Sequence, residues 1–400
     1  MKPRSVQPRS STRMRITLGG RVGALTVEQP HANKSTQKAG RRPPRESIDI
    51  AIVLAPCSRF WILIATESAA HCIKESLMKQ RSLLFLMAIN VASSMASAQT
   101  STAQFEQWFE QVSNHGRWGP DDELGTLNFI TPERTRKAAE LVRDGVSISL
   151  SRELKPGENL NAIAPLQVEY TGDGGGGLLS FFGDKTTILY HGWAYSHLDA
   201  LAHLASHGEL YNGYPESSFS KENGASKLGI ENMRGGIVTR GVLIDVPWLK
   251  NVPYLEPSTP ITLEDIKAWE DRTGEKIQEG DVVLIRTGRE AREAEHGLWK
   301  VQDGTAGPHP EVATLLHERG VAVLGSDVAN EIYPSVVPDN RGPMHLLAIN
   351  SMGMPLFDNL GLQAVAREAR ERERWTFLFV AAPLPFRNGT GSAVNPLAIF

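Results

Sequence analysis

Between residues 236 and 382 the chain repeats one alternation: a short, almost wholly apolar run, then a stretch with helical spacing, then another apolar run. Residues 236–246, 281–286, 321–324 and 375–382 read as strands, and 262–273, 310–319 and 362–372 as helices. A strand that is apolar at nearly every position needs cover on both faces, and helices crossing over a largely parallel sheet supply it. The pattern predicts an α/β layered domain. No Gly-x-Gly-x-x-Gly follows the first strand and no internal repeat is visible, so one domain suffices and a dinucleotide cofactor is not expected.

Upstream of this block the signals are local. Residues 105–109 form an amphipathic helical piece, and 117–128 a turn-rich loop. Thr131 and Pro132 have the chemistry of an N-cap and first helical position for a helix reaching about residue 144, with a strand at 146–150. Residues 172–177 are glycine-rich without the Gly-Lys-Ser/Thr of a phosphate loop, and read equally as a lid or as a plain linker.

Charge divides the chain. Of its 42 basic and 45 acidic residues, 15 and 5 lie in residues 1–98, a net of +10, which leaves 27 and 40 beyond, a net of −13. An acidic body is a poor partner for nucleic acid or an anionic membrane. Met78-Lys79-Gln80-Arg81, the apolar run 83–92 and Ala96-Ser97-Ala98 have the three parts of a secretory signal, too short to span a bilayer. The expectation is a start at Met78, cleavage after Ala98 and a periplasmic or secreted product. Residues 1–77 are then a non-native or disordered extension, 78–98 the signal peptide and 99–400 the functional domain, with no membrane contact after cleavage. Both cysteines, Cys57 and Cys72, lie in the extension, so the domain has no thiolate ligand, disulfide or cysteine nucleophile.

The chemistry concentrates in one place. His191, His197, His203 and His207, four of eleven histidines, fall with Asp199 inside seventeen residues. Residues 186–190 read as a strand; continued to Asp199, its period of two sets His191, Trp193, Tyr195, His197 and Asp199 on one face. Residues 200–206 then read as a helix capped by Asp199 and ended at Gly208, with His203 and His207 at successive four-residue steps. Imidazoles and a carboxylate converging at a strand end suit a divalent ion. Burying such a carboxylate also requires a compensating charge.

The run Ser196-His197-Leu198-Asp199-Ala200-Leu201-Ala202-His203 resembles the latter half of the His-x-Gly-Thr-His-x-Asp-x-x-x-His motif of the cyclase family, which includes bacterial kynurenine formamidases and isatin hydrolases. Residues 117–128, 239–246, 280–288 and 389–392 resemble the same family, and the likeness spans essentially 100–400. It implies a kynurenine formamidase-like domain of the swivelling β/β/α type, zinc or manganese as one or two ions, and a homo-oligomer. It also implies His197 and Asp199 as metal ligands, His203 as catalytic acid/base, and a downstream histidine and carboxylate, matched by His345 and Asp358. The family's first ligand falls on Trp193, whose indole cannot bind an ion. His191 is the candidate substitute, about 6–7 Å further along an extended strand.

The reaction the resemblance implies is hydrolysis of an amide, formamide or lactam C–N bond in a small molecule, with N-formylkynurenine-type formamides of tryptophan catabolism as the family's best-known substrate. The alternatives are a lactone hydrolase, a metal-dependent cyclase or dehydratase, and a non-catalytic binding protein without a complete ion site. Trp193, Tyr195, Phe181 and Phe182 are expected either to line an aromatic pocket or to pack in the core.

Overall fold

The computed structural model describes residues 100–400, together with the backbone of 53–57 and 60–64. Those two segments form an antiparallel pair, Val53 opposite Ile64 and Cys57 opposite Phe60, and are a unit of their own. The remainder of the expected extension and the signal segment lie outside the described residues. Among the described residues no helix is long and apolar enough to cross a membrane.

Helix α1 (Thr102–Gln111) starts at Ser101, whose hydroxyl accepts from the Gln104 amide, and it buries Phe105 and Trp108. Helix α2 (Pro132–Ala139) is capped by Thr131 with Pro132 at its first position, as predicted. It stops short of residue 144 because Leu141 and Val142 bond back only three residues, tightening the chain out of the α-helix. Strand β1 (Ser147–Ser149) follows. Strands β2 (Gln167–Gly172) and β3 (Phe182–Thr187) then pair as a separate antiparallel hairpin, with the glycine-rich run at its turn. Leu178, Leu179, Phe181 and Phe182 on this hairpin are each more than two-thirds exposed.

Apart from two short two-stranded pairs, Phe219–Ser220 with Gly224–Ala225 and Pro260–Ile261 with Gly307–Pro308, the strands of the rest of the domain form one nine-stranded sheet in the order β10-β4-β8-β7-β6-β5-β9-β11-β1. Its members are β4 (His197–Asp199), β5 (Ile237–Asp245), β6 (Val282–Arg286), β7 (Val323–Ser326), β8 (Leu356–Asp358), β9 (Thr376–Ala381), β10 (Gly391–Ala393), β11 (Leu397–Ile399) and β1. Strands β5, β6, β7 and β8 run parallel, and the strands added at either side are antiparallel. Residues Val242–Ile244, Val282–Ile285, Val323 and Leu324 are fully buried, the two-sided cover that their apolar runs require.

Helix α3 (Leu263–Thr273) makes the crossover from β5 to β6, closed at its start by a Thr262/Asp265 capping box. Helices α4 (Arg289–His296) and α5 (Val312–Glu318) lie between β6 and β7, and α6 (Gln363–Arg372) leads from β8 to β9. The α/β class and each strand and helix expected after residue 236 are present within a few residues of their predicted bounds. Residues 345–352, apolar in sequence, form a helical segment with a π-helical stretch at Leu346–Met352, immediately after His345.

Candidate metal centre

Strand β4 is three residues long and fully enclosed: Leu198 faces the core at 0% exposure, and His197 and Asp199, each 1% exposed, share the opposite face. Its neighbour β8 sets Asp358 opposite His197 and Leu356 opposite Asp199. On the other side β10 sets Gly391 opposite Asp199. His345 reaches the same point from the helix start, its Nε2 3.4 Å from Asp358 Oδ2 and 3.8 Å from Asp199 Oδ2. His197 Nε2 stands 3.4 Å from Asp199 Oδ1 and 3.9 Å from Asp358 Oδ2.

The three histidines His191, His197 and His345, and Asp358, are each aimed by a partner outside the cluster. His197 Nδ1 lies 2.8 Å from the Tyr195 carbonyl, which leaves Nε2 as the free lone pair facing the carboxylates. His345 Nδ1 lies 2.9 Å from Glu331 Oε1, a carboxylate–histidine pair of the kind that orients metal ligands. Asp358 Oδ1 accepts from Asn330 Nδ2 at 2.6 Å. His191 Nε2 is 3.1 Å from the Thr390 hydroxyl, so Nδ1 is the atom turned to Asp199.

Both oxygens of Asp199, and His191 Nδ1, are buried without a hydrogen-bond partner. Nδ1 and Oδ1 come within 2.9 Å of each other. A buried carboxylate left bare among imidazole nitrogens is costly unless a cation lies among them. Two triads have donor atoms mutually within 4.8 Å, His191/His197/Asp199 and Asp199/His345/Asp358, with Asp199 common to both. The donor set, imidazole nitrogen and carboxylate oxygen without sulfur, fits a borderline or hard divalent ion.

The electrostatics without an ion point the same way. Burial opposes charging His197, but the Asp199 and Asp358 carboxylates outweigh it and raise the imidazole to about 9. Burial likewise opposes charging His345, and Asp358 and Glu331 raise it well above the ordinary value. The centre thus takes up protons where it has no cation. His203 behaves oppositely: burial, aided by His191, His345 and His197, holds it down to about 4 despite the pull of Asp199, so its ring is neutral near pH 7. Its side chain is 28% exposed, with Nε2 3.9 Å from Asp199 Oδ1, and it is the member of the cluster most open to solvent.

The structure brings His191, His197, Asp199, His203, His345 and Asp358 together, by a route that corrects two expectations. The strand from 186 does not continue to Asp199. It ends at Thr187, and residues 191–194 form a turn, because Gly192 takes φ +121°, which no extended side-chain-bearing residue adopts. The turn carries His191 back over the site instead of leaving it 6–7 Å along a strand. The helix expected over 200–206 is a single 3-10 turn, Leu201–His203, and Asp199 is a strand residue that caps nothing.

His207 is exposed with φ +52° and outside the cluster. Tyr195 is core, its hydroxyl accepting from the Leu166 amide, while Phe181 and Phe182 lie on the exposed hairpin. Of the four aromatics only Trp193 is half-buried at the turn beside the centre. Glu331 and Asn330 were missed in the sequence. No local signal marked them: the acidic residue directly after the buried strand β7 is Asp327, and Glu331 lies further along the loop.

Residues 132–330 match the model of a family described as putative cyclase, a span that includes His191, His197, Asp199 and His203. The chain is similar to a crystal structure described as a novel cyclase, with 28% identity and a TM-score of 0.66, over 73% of this chain and 99% of that one. It is also similar to isatin hydrolase A from Labrenzia aggregata bound to benzyl benzoate, with 21% identity and a TM-score of 0.46 over 65% of this chain and 94% of that one. Isatin hydrolase A from Ralstonia solanacearum is 23% identical with a TM-score of 0.45, over 66% and 93% respectively. None of the curated proteins searched matches the chain.

Proposed function

Because residues 132–330 belong to the putative cyclase family, we propose that the domain is a metal-dependent hydrolase of a C–N bond in a small amide, formamide or lactam. The observation that carries this reading is the pair of buried, unpartnered Asp199 oxygens ringed by His191 Nδ1, His197 Nε2 and His345 Nε2. His197, Asp199, His345 and Asp358, with His191 in the role that Trp193 cannot fill, would hold zinc or manganese. A bound divalent ion supplies Lewis acidity, polarising a carbonyl and making nearby water easier to deprotonate.

The protein's own part falls to His203. Its imidazole is neutral near pH 7, so it can accept a proton from water at Nε2. Water adds to the carbonyl carbon, the C–N bond breaks, and the same proton passes from His203 to the departing nitrogen. Asp199 stays ionised: burial would raise its carboxyl, but the surrounding imidazoles, the charged His197 among them, more than offset this and hold it well below the ordinary range. Glu331 keeps His345 in the orientation that presents Nε2.

The deciding experiment is metal analysis of the purified protein followed by turnover of a panel of formamides, isatins and lactones with zinc or manganese restored. Hydrolysis of a C–N substrate that disappears on chelation and returns with the ion is expected. Ring opening confined to lactones would move the substrate class, and absence of stoichiometric ion under all conditions would overturn the metal reading.

A further inference from the structure

The turn over 191–196 is held by side chains rather than by strand partners. Arg289, 3% exposed at the start of α4, sends its Nη2 to the Trp193 carbonyl, Nη1 to Asn359 Oδ1 and Nε to Glu293 Oε1, each at 2.9 Å. Asn359 extends the reach: its Nδ2 donates to the Gly192 carbonyl at 2.8 Å and to that of Tyr195 at 3.4 Å. The Tyr195 carbonyl is the group that faces His197 Nδ1. Ser196 Oγ in turn donates to the Asn359 carbonyl at 2.7 Å. Asn359 follows Asp358 directly and is itself fully buried at φ +55°.

This arrangement is costly as a source of stability. Burial, and then the nearby Arg152, depress the Arg289 guanidinium to about 10, and well-packed apolar residues commonly replace buried ion pairs without loss of stability. What an apolar residue could not do is hold three acceptors at fixed directions, which the planar five-donor guanidinium does and a lysine ammonium does not.

We propose that Arg289 and Asn359 are positioning residues for the ion centre, fixing the Gly192, Trp193 and Tyr195 carbonyls and thereby the places of His191 Nδ1 and His197 Nε2. The inference rests on the metal reading above. It assigns a reason why an irregular turn can present a ligand as precisely as a strand does.

The test compares Arg289→Lys with Arg286→Lys. Arg286 is an equally buried arginine, bonded to Asp245 and Gln363 and to no part of the turn. In Arg289→Lys, amide hydrogen exchange over 191–197 rises and zinc affinity, read by chelator competition, falls about 10–100-fold, the usual scale for a partner that orients a ligand. The absorption bands of the cobalt-loaded protein shift as well. In a His191→Ala background the further loss of zinc affinity is smaller than in the wild type, since only the share carried through His197 remains. Arg286→Lys lowers the melting temperature and leaves zinc affinity and the cobalt bands in place.

Unchanged exchange over 191–197, or equal zinc loss in both lysine variants, overturns the proposal. Should Arg289→Lys fail to fold, Asn359→Ser carries the same expectations. If the wild-type chain takes up no zinc, manganese or cobalt, the metal reading fails, and exchange still decides whether the clamp exists.

Discussion

The imidazole of His203 lies stacked on that of His191, ring centroids 4.1 Å apart and planes 10° from parallel. Two rings in face contact cannot both carry charge cheaply. His203 is the one that burial and its histidine neighbours hold neutral, while His191 Nδ1 is committed to Asp199. On the function proposed above the pair divides labour: one ring for the ion, the other for the proton.

From that division, His203→Ala should lower kcat by about 10²–10⁴-fold, the usual contribution of a positioned acid/base, and leave metal content unaltered. Elemental analysis beside steady-state kinetics checks both halves. Loss of the ion in this variant would show that His203 is a ligand.

Asp199 is common to both candidate triads, so its removal should be felt more than that of any single histidine. Asp199→Asn is expected to weaken zinc binding by more than the ~100-fold upper end seen for residues that merely orient a ligand. Chelator competition measures it. An affinity within a few-fold of wild type would exclude Asp199 from the coordination set.

Gly391 lies opposite Asp199 on the edge strand. A Cβ there would sit 2.6 Å from the Leu198 carbonyl oxygen and 2.9 Å from His191 Cε1. Gly391→Ala should therefore push the His191 ring off its place, at roughly 1–3 kcal/mol of overpacking. Weakened ion binding and a lower melting temperature should appear together, and a crystal structure of the variant would locate the ring.

Proton and ion should compete. Without an ion, burial opposes and the Asp199 and Asp358 carboxylates favour a proton on His197, with the balance at about 9, so this imidazole is charged at neutral pH and must lose its proton to bind metal. Apparent zinc affinity should then rise with pH through the neutral range and level off near pH 9. Calorimetric titration in buffers of different ionisation enthalpy should register proton release at pH 7. An affinity that does not change between pH 6 and 8 would contradict this picture.

We further propose that the product is exported, on the strength of the basic start at Met78, the apolar run 83–92 and Ala96-Ser97-Ala98. Sequencing the N-terminus of protein recovered from the producing cell should give Gln99 first. A mature chain beginning before Met78 would end that proposal.

The fold after residue 236 was legible because its strands carry an unambiguous two-sided apolar signature, and its first crossover helix opens on the Thr262/Asp265 capping box. His197 and Asp199 were legible from spacing alone, since a period of two is robust over three residues. The path of His191 was not. Gly192 can continue a strand or reverse it, and only the tertiary donors, Arg289 and Asn359, decide which. Glu331 was illegible for a similar reason, as its role depends on a histidine fourteen residues later folding back to meet it.

Strand β8 contributes Asp358 to the centre and Phe357 to the core, where Phe357 is fully buried 5.4 Å from Phe379. Because neighbouring side chains on a strand point to opposite faces, a slip of one residue against β4 would put a phenylalanine among the imidazoles and a carboxylate into the apolar interior. The penalty for that error falls almost wholly on the hydrophobic side. Phe357 and Leu198, which never touch the imidazole cluster, therefore act as the parity check on the register that brings Asp358 to His197, and a greasy interior keeps the polar face in place.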